Sequence, residues 1–178
     1  MRISICGGTS DRSVSDRVAE ESRLLGELLA RRGVHVICSG SKSGVIGHLI
    51  DGIEAGRGSI TALVLKASGE EQNIHPYAAS VTLVSTISER KMAMMTQSEV
   101  IIALPGGLGT HDELLSILTE SKSANTSFKV ILIDIDGFFA PFTRLLEHLV
   151  QTGFLRQRHL SNLLRSEDGQ GALNLLPV

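Results

Sequence analysis

The amino-acid sequence predicts an α/β fold: one Rossmann-like domain over residues 1–178, with a doubly wound parallel sheet and helices on both faces. Three observations predict it. Short, continuously apolar runs alternate with longer segments of helical periodicity, as in sheets that are buried on both faces. Glycine-rich loops follow three of the apolar runs. The 178 residues are 42% hydrophobic and 20% charged, which suits one globular core.

The first half of the chain predicts three strands and two helices. Short, mainly apolar runs at 3–6, 34–38 and 60–65 indicate strands. Between them, apolar residues recur every three or four positions at 13–32 and at 45–53, and glycines follow both segments. We therefore expect two amphipathic helices that connect the strands.

The second half repeats this alternation after a polar interruption. Residues 66–80 are polar and include His75-Pro76, so we expect an irregular excursion or a mobile lid there. The same patterns then predict strands at 81–84, 100–104 and 129–133, and helices at 89–97, 111–121 and about 138–149. Beyond residue 160 we expect a short strand and a terminal helix. Three methionines, Met92, Met94 and Met95, are expected to fill the core.

The charge balance argues against nucleic-acid and membrane partners. Lys and Arg total 17 against 19 Asp and Glu, a formal net charge of −2, so no broad basic field is predicted. No apolar run approaches ~18 residues and no leader precedes the first strand, so we expect a cytoplasmic protein. The histidines lack metal-ligand spacing, so we expect no metal and no cofactor. Cys6 and Cys38 are expected to be small buried side chains.

Three glycine-rich loops leave the carboxyl ends of predicted strands, where ligands bind in open parallel sheets. The loop at 105–110 opens a helix, whose first N–H groups and dipole favour an anion such as a phosphate. Its candidate phosphate ligands are Gly106, Gly107, Gly109 and Thr110. The loops at 7–10 and 39–44 add the possible substrate contacts Gly8, Ser10, Gly40 and Lys42. The absence of GxxxxGK[ST], and of GxGxxG after the first strand, argues against a P-loop nucleotidase and against NAD or FAD.

Glu113 permits two interpretations. Thr110 and Glu113 have the spacing of a capping box, in which the carboxylate only closes the helix N-terminus. Alternatively, the carboxylate faces a ligand beside the phosphate loop. A second possible capping box at 86–89 is followed by Arg90 and Lys91. Cations in the first turn of a helix interact unfavourably with its dipole, at a cost of about 0.3–1 kcal/mol each. An anion that binds nearby would offset this cost.

Paired motifs carry a family resemblance. The run Glu89-Arg90-Lys91-x-x-Met94, followed by Pro105-Gly106-Gly107-x-Gly109-Thr110-x-x-Glu113, resembles the Lonely Guy (LOG) family. Its members are cytokinin riboside 5'-monophosphate phosphoribohydrolases, often mislabelled as lysine decarboxylases. The likeness extends from the first strand to about residue 154. It implies cleavage of the N-glycosidic bond of a nucleoside 5'-monophosphate to free base and ribose 5-phosphate, and a homodimer whose partner subunit helps to complete each pocket.

The resemblance also implies roles for individual residues. Arg90 and Glu113 match the catalytic pair, and the glycine-rich loop at 105–110 matches the phosphate-binding loop. Glu113 would stabilise positive charge on the ribose or orient the attacking water. Arg90 would clamp the phosphosugar and keep Glu113 ionised. Lys91 is a further possible substrate contact.

The second loop departs from the family's glycine run. Ser39 and Ser41 replace glycines, and Lys42 is added. This leaves the base open among adenine, an N6-substituted adenine, a pyrimidine or a specialised metabolite. A related glycine-rich loop occurs in molybdenum cofactor carrier proteins, which gives the alternative of a non-catalytic binding protein for a phosphorylated ligand. Lysine decarboxylase is disfavoured because no pyridoxal-phosphate lysine motif is evident.

Overall fold

In the residues that the structure describes, seven strands lie parallel in one sheet. The computed structural model describes residues 1–66, 68–123 and 129–177. The strands are β1 (Arg2–Cys6), β2 (His35–Cys38), β3 (Ser59–Leu65), β4 (Ser80–Val84), β5 (Val100–Ala103), β6 (Lys129–Ile133) and β7 (Leu163–Ser166). The α-helices in these ranges are α1 (Asp16–Arg31), α2 (Gly44–Ala55), α3 (Ile87–Gln97), α4 (Leu108–Ser123), α5 (Ala140–Gln151) and α6 (Gly169–Asn174).

The strand order β4-β3-β2-β1-β5-β6-β7 makes the sheet doubly wound. The chain builds outward from β1 through β4, returns to the centre, and builds outward in the other direction from β5 through β7. β1 and β5 are neighbours, with Ile3 opposite Val100 and Cys6 opposite Ala103. Because the winding reverses between these strands, their carboxyl ends border a crevice of the kind that binds ligands. The predicted fold class is confirmed.

An apolar layer covers each face of the sheet, which explains the continuous apolar runs of the central strands. The helices α1, α2 and α6 pack on one face, and α3, α4 and α5 pack on the other. Within β5, Ile102 belongs to the first layer and Ile101 to the second, because successive strand side chains alternate. None of the helices in the described ranges is long and apolar enough to cross a membrane.

Two details differ from the sequence-based expectation. α4 begins at Leu108 rather than at residue 111, so the helix starts inside the glycine-rich loop. Met94 and Met95 are buried as expected, but the prediction was wrong for Met92, whose surface is 51% exposed. The other predicted elements are present, including the short strand and helix of the tail, and Cys6 and Cys38 are buried free thiols as predicted.

The polar segment 66–80, described except for residue 67, is irregular as predicted. It contains one short 3-10 helix at Glu70–Asn73. Just after this helix, Ile74 forms an isolated antiparallel bridge with Ser41 of the second glycine-rich loop. The His75 N–H donates to the Gly40 carbonyl at 2.8 Å. The segment is thus attached to loop 39–44 and lies beside the carboxyl edge of the sheet.

Candidate functional site

A cavity of about 480 Å³ opens at the carboxyl edge of the sheet, beside the ends of β1 and β5. All three glycine-rich loops contribute to its wall, through residues that include Gly8, Ser39 and Gly106. Apolar side chains, among them Val14 and Phe138, complete part of the wall. The predicted convergence of the three loops is therefore confirmed.

The first and third loops are in close contact. The Gly8 N–H donates to the Pro105 carbonyl at 3.0 Å. A Cβ on Gly106 would lie 2.1 Å from Thr110 Oγ1 and 2.7 Å from the Gly8 nitrogen, so only glycine fits there without movement. A Cβ on Gly107 would meet no atom within 4 Å. The loop therefore presents bare backbone to the cavity at the N-terminus of α4, an arrangement suited to an anion.

Two helices begin inside a glycine-rich loop at the cavity, α2 at Gly44 and α4 at Leu108. Of these two, α4 has the N-terminus that is open to an anion. The first N–H of α2, on Gly44, already donates to Asp11 Oδ1 at 2.5 Å. This internal carboxylate occupies the position that an external anion would take. The first turn of α4 contains no acidic residue. The geometry thus favours the loop at 105–110 over the loop at 39–44 as a place for an anion.

Arg90 and Glu113 meet at the cavity wall. Arg90 lies on α3. Thr86 caps the N-terminus of this helix, because its hydroxyl accepts the Glu89 N–H at 3.0 Å. Glu113 lies on α4, and its Oε1 is 3.6 Å from Arg90 Nε. Their side chains are 15% and 12% exposed, respectively. Two elements that pack on the same face of the sheet therefore bring the predicted pair together in a largely buried position.

The structural interpretation of Glu113 as a capping residue was wrong. Because α4 begins at Leu108, Thr110 lies within the first turn and is not the residue that precedes the helix. Glu113 then falls in the second turn, too far along the helix to close its N-terminus. The carboxylate faces the cavity instead, with the Arg90 guanidinium beside it.

The environment of Glu113 makes its carboxyl harder to ionise than that of a glutamate in water. Burial raises the pKa of the carboxyl above its ordinary value, and the charges of Asp112 and Glu70 add to this rise. The cations Arg90 and Lys91 act in the opposite direction and lower the pKa of Glu113. A buried carboxyl with a raised pKa beside a fixed guanidinium is typical of acid–base sites.

Glu70 is a cavity residue that the sequence did not reveal. Its carboxylate oxygens lie 3.1 and 3.2 Å from Arg90 Nη1, so the guanidinium stands between two carboxylates. Glu70 belongs to the polar segment expected only as an excursion or lid. Twenty residues separate it from Arg90, and neither spacing nor motif links the two positions.

The smaller predicted contacts divide into two groups. Gly8 and Ser10 line the cavity as expected. Gly40 does not line it; a Cβ there would lie 2.3 Å from the Ala62 side chain, so this glycine serves the close packing of the second loop on β3. Its φ of +74° also favours glycine.

The two lysines proposed as substrate contacts are directed elsewhere. Lys42 is exposed, and its Nζ lies 3.4 Å from the Gln72 carbonyl. Lys91 Nζ contacts Asp112 Oδ2 at 2.6 Å and Ser116 Oγ at 2.9 Å. Neither lysine is part of the cavity wall. The sequence predicted charged side chains near the site but could not predict the neighbouring groups that hold them away from the cavity.

Comparison with known proteins agrees with the paired motifs. A family model described as possible lysine decarboxylase matches residues 46–176, a range that contains Arg90 and Glu113. A probable cytokinin riboside 5'-monophosphate phosphoribohydrolase from Oryza sativa subsp. japonica is 31% identical over 132 residues, 74% of this chain and 59% of that protein. The chain belongs to the LOG family.

Further matches extend the comparison. A cytokinin riboside 5'-monophosphate phosphoribohydrolase from Arabidopsis thaliana is 26% identical over 171 residues, 96% of this LOG-family chain and 79% of that protein. The chain spans 59–62% of the length of the first curated relatives that it matches. The molybdenum cofactor carrier protein from Chlamydomonas reinhardtii superposes with a TM-score of 0.75 at 16% identity, covering 98% and 94% of the two chains. That likeness concerns the fold alone.

Proposed function

We propose that this LOG-family protein hydrolyses the N-glycosidic bond of a nucleoside 5'-monophosphate and releases free base and ribose 5-phosphate. One observation carries the proposal: a buried Arg90–Glu113 pair faces the same cavity as the bare glycine-rich backbone at the start of α4. The backbone suits the 5'-phosphate, and the pair suits the sugar carbon from which the base departs.

The reaction requires only water as a second reactant. As the bond between C1' and the base nitrogen breaks, its electron pair passes to the base, and positive charge develops on the ribose. The ionised Glu113 carboxylate stabilises this charge or accepts a proton from the attacking water. The water oxygen bonds to C1', and its lost proton finally resides on the released base.

Arg90 acts on the phosphosugar and on Glu113. At 3.6 Å, its positive charge lowers the pKa of the Glu113 carboxyl against the effect of burial, and so increases the ionised fraction. The guanidinium also supplies hydrogen-bond donors for the oxygens of the phosphosugar. Phosphate binding at a distance from the reacting carbon fixes the ribose in position, which lowers the entropic part of the barrier.

AMP and N6-substituted AMP are the first substrates to test, because the curated relatives are named for cytokinin riboside 5'-monophosphates. The assay separates free base from nucleotide by chromatography over a panel of nucleoside 5'-monophosphates. We expect base release by the wild-type protein, and none above background from Glu113→Gln or Arg90→Ala. Glu120→Gln is the matched control, since this exposed carboxylate lies further along α4 and outside the cavity wall.

A non-catalytic carrier of a phosphorylated ligand is the alternative, and the fold likeness to a molybdenum cofactor carrier supports it. A carrier has no need of the buried Arg90–Glu113 pair, so we favour the enzyme. The same panel discriminates between the two functions. Tight retention of an intact nucleotide without release of base would support the carrier and contradict the hydrolase.

The homodimer remains a proposal. Large apolar side chains are exposed on α3 and α4, among them Met92 at 51%, Leu108 at 91% and Leu115 at 43%. Such exposure on neighbouring helices is what a subunit contact would cover. Light scattering after size exclusion measures the mass in solution, and a monomeric mass at assay concentration would contradict the dimer.

A further inference from the structure

Glu70 contributes a charged group to the site for which the proposed mechanism gives no role. Its carboxylate oxygens lie 3.1 and 3.2 Å from Arg90 Nη1. One of them, Oε2, also accepts the Leu65 N–H at 3.0 Å. Leu65 is the last residue of β3. The carboxylate therefore links the guanidinium to the end of a strand of the central sheet.

The contact between Glu70 and Arg90 differs from an ordinary surface ion pair. Exposed pairs contribute about 0–1 kcal/mol to stability, partly because both side chains stay mobile. Here the Arg90 side chain is only 15% exposed, while that of Glu70 is 38% exposed. Its buried Nε faces Glu113 at 3.6 Å, which is too long for a hydrogen bond. Within residues 1–66, 68–123 and 129–177, Glu70 alone hydrogen-bonds the guanidinium.

The segment that carries Glu70 is itself held against the second glycine-rich loop. The Lys42 N–H donates to the Asn73 carbonyl at 2.8 Å. The Asn73 side-chain amide donates to Ser41 Oγ at 3.0 Å. Ser41 stands where the family resemblance leads one to expect glycine, so its hydroxyl supplies a bond that glycine lacks. These contacts fix the position of Glu70 relative to the cavity.

We propose that Glu70 is a positioning residue: it orients the Arg90 guanidinium so that Nε faces Glu113 and Nη2 faces the bound phosphosugar. The consequence for the rate rests on the proposed hydrolysis. In the described part of the chain, Nη2 has no protein acceptor, whereas Nη1 is engaged by Glu70. Loss of the carboxylate frees the guanidinium to rotate, and a misplacement of about 1 Å in a catalytic geometry costs about 100-fold in rate.

The test compares Glu70→Ala and Glu70→Gln with Glu71→Ala, a control on an exposed side chain of the same helical turn. We expect Glu70→Ala to lower kcat for AMP about 10- to 100-fold, and Glu71→Ala to leave it unchanged. Glu70→Gln keeps an oxygen that accepts from Arg90, so it should retain more activity than Glu70→Ala. The negative charge of Glu70 raises the pKa of Glu113, so Glu70→Gln should also move the acid limb of kcat to lower pH.

An NMR measurement separates failure of this inference from failure of the proposed function. The side-chain Nε–H signal of Arg90, assigned with Arg90→Lys, should shift and broaden in Glu70→Ala and stay unchanged in Glu71→Ala. If the wild-type protein releases no base, the proposed function fails, and this signal still decides whether Glu70 positions the guanidinium. An unchanged Arg90 signal in a folded Glu70→Ala, or an unchanged kcat and acid limb in both Glu70 variants, would overturn the inference.

Discussion

Replacing Gly106 by Ala tests whether the glycine-rich loop is packed as tightly as the structure indicates. The added Cβ would lie 2.1 Å from Thr110 Oγ1, 2.7 Å from the Gly8 nitrogen and 2.9 Å from Thr110 Cβ. All three distances are shorter than a van der Waals contact, and one of them is to a backbone atom, so the loop or α4 has to move. Overpacking of this kind costs about 1–3 kcal/mol. For a protein of this length, each kcal/mol lowers Tm by about 2–4 °C, so we expect a decrease of about 2–12 °C.

Gly107→Ala is the matched control for this prediction. Its Cβ would meet no atom within 4 Å, and the residue lines the cavity. We therefore expect a smaller decrease in Tm than for Gly106→Ala, but a higher KM for AMP, because the methyl group would enter the space proposed for the phosphate. Equal Tm values for the two variants would refute the close contact between the first and third loops.

Three further predictions concern the site. Glu113→Gln should be at least as stable as wild type at pH 7. The pKa of Glu113 is raised in the folded state, so ionisation of this carboxyl lowers the free energy of unfolding as pH rises. Calorimetry should therefore find that the difference in stability between the two proteins decreases toward acid pH. With saturating AMP, kcat should decrease toward acid pH with a midpoint above 4.5, the ordinary pKa of Glu, because Glu113 must be ionised to act. A midpoint at or below 4.5 would exclude Glu113 as the group that titrates. Ser41→Ala should lose about 1–3 kcal/mol in urea unfolding because Asn73 loses its acceptor. The control Ser39→Ala should lose little, since the Ser39 hydroxyl has no partner in the described residues, and equal losses would contradict this account.

The local sequence pattern was sufficient to predict the strands of the sheet and the helices that cover it. The strand β5 is a continuous apolar run because α-helices cover both of its faces, and its two central isoleucines face opposite layers. The glycine-rich loops converge because parallel strands end at the same edge. The pairing of Arg90 with Glu113 was expected only from the resemblance of their two motifs to the LOG family, and the structure brings the two side chains to 3.6 Å.

Long-range contacts explain what the sequence could not predict. The Glu70–Arg90 bond depends on how an irregular segment packs between loop 39–44 and α3, and no periodicity encodes that packing. The capping pattern at Thr110–Glu113 placed the start of α4 at residue 111, whereas the helix starts at Leu108, directly after a glycine-rich stretch that packs against the first loop. Lys91 is charged as expected, but its neighbour on α4, Asp112, directs it away from the cavity.

The most direct test of the central claim is the rate of adenine release from AMP by wild-type protein and by Glu113→Gln, measured side by side on folded samples. If the Arg90–Glu113 pair and the glycine-rich loop form a hydrolase, wild type produces adenine and ribose 5-phosphate in equal amounts, and Glu113→Gln produces neither above background. Adenine release at the same rate from both proteins would contradict the assignment of the reaction to this site.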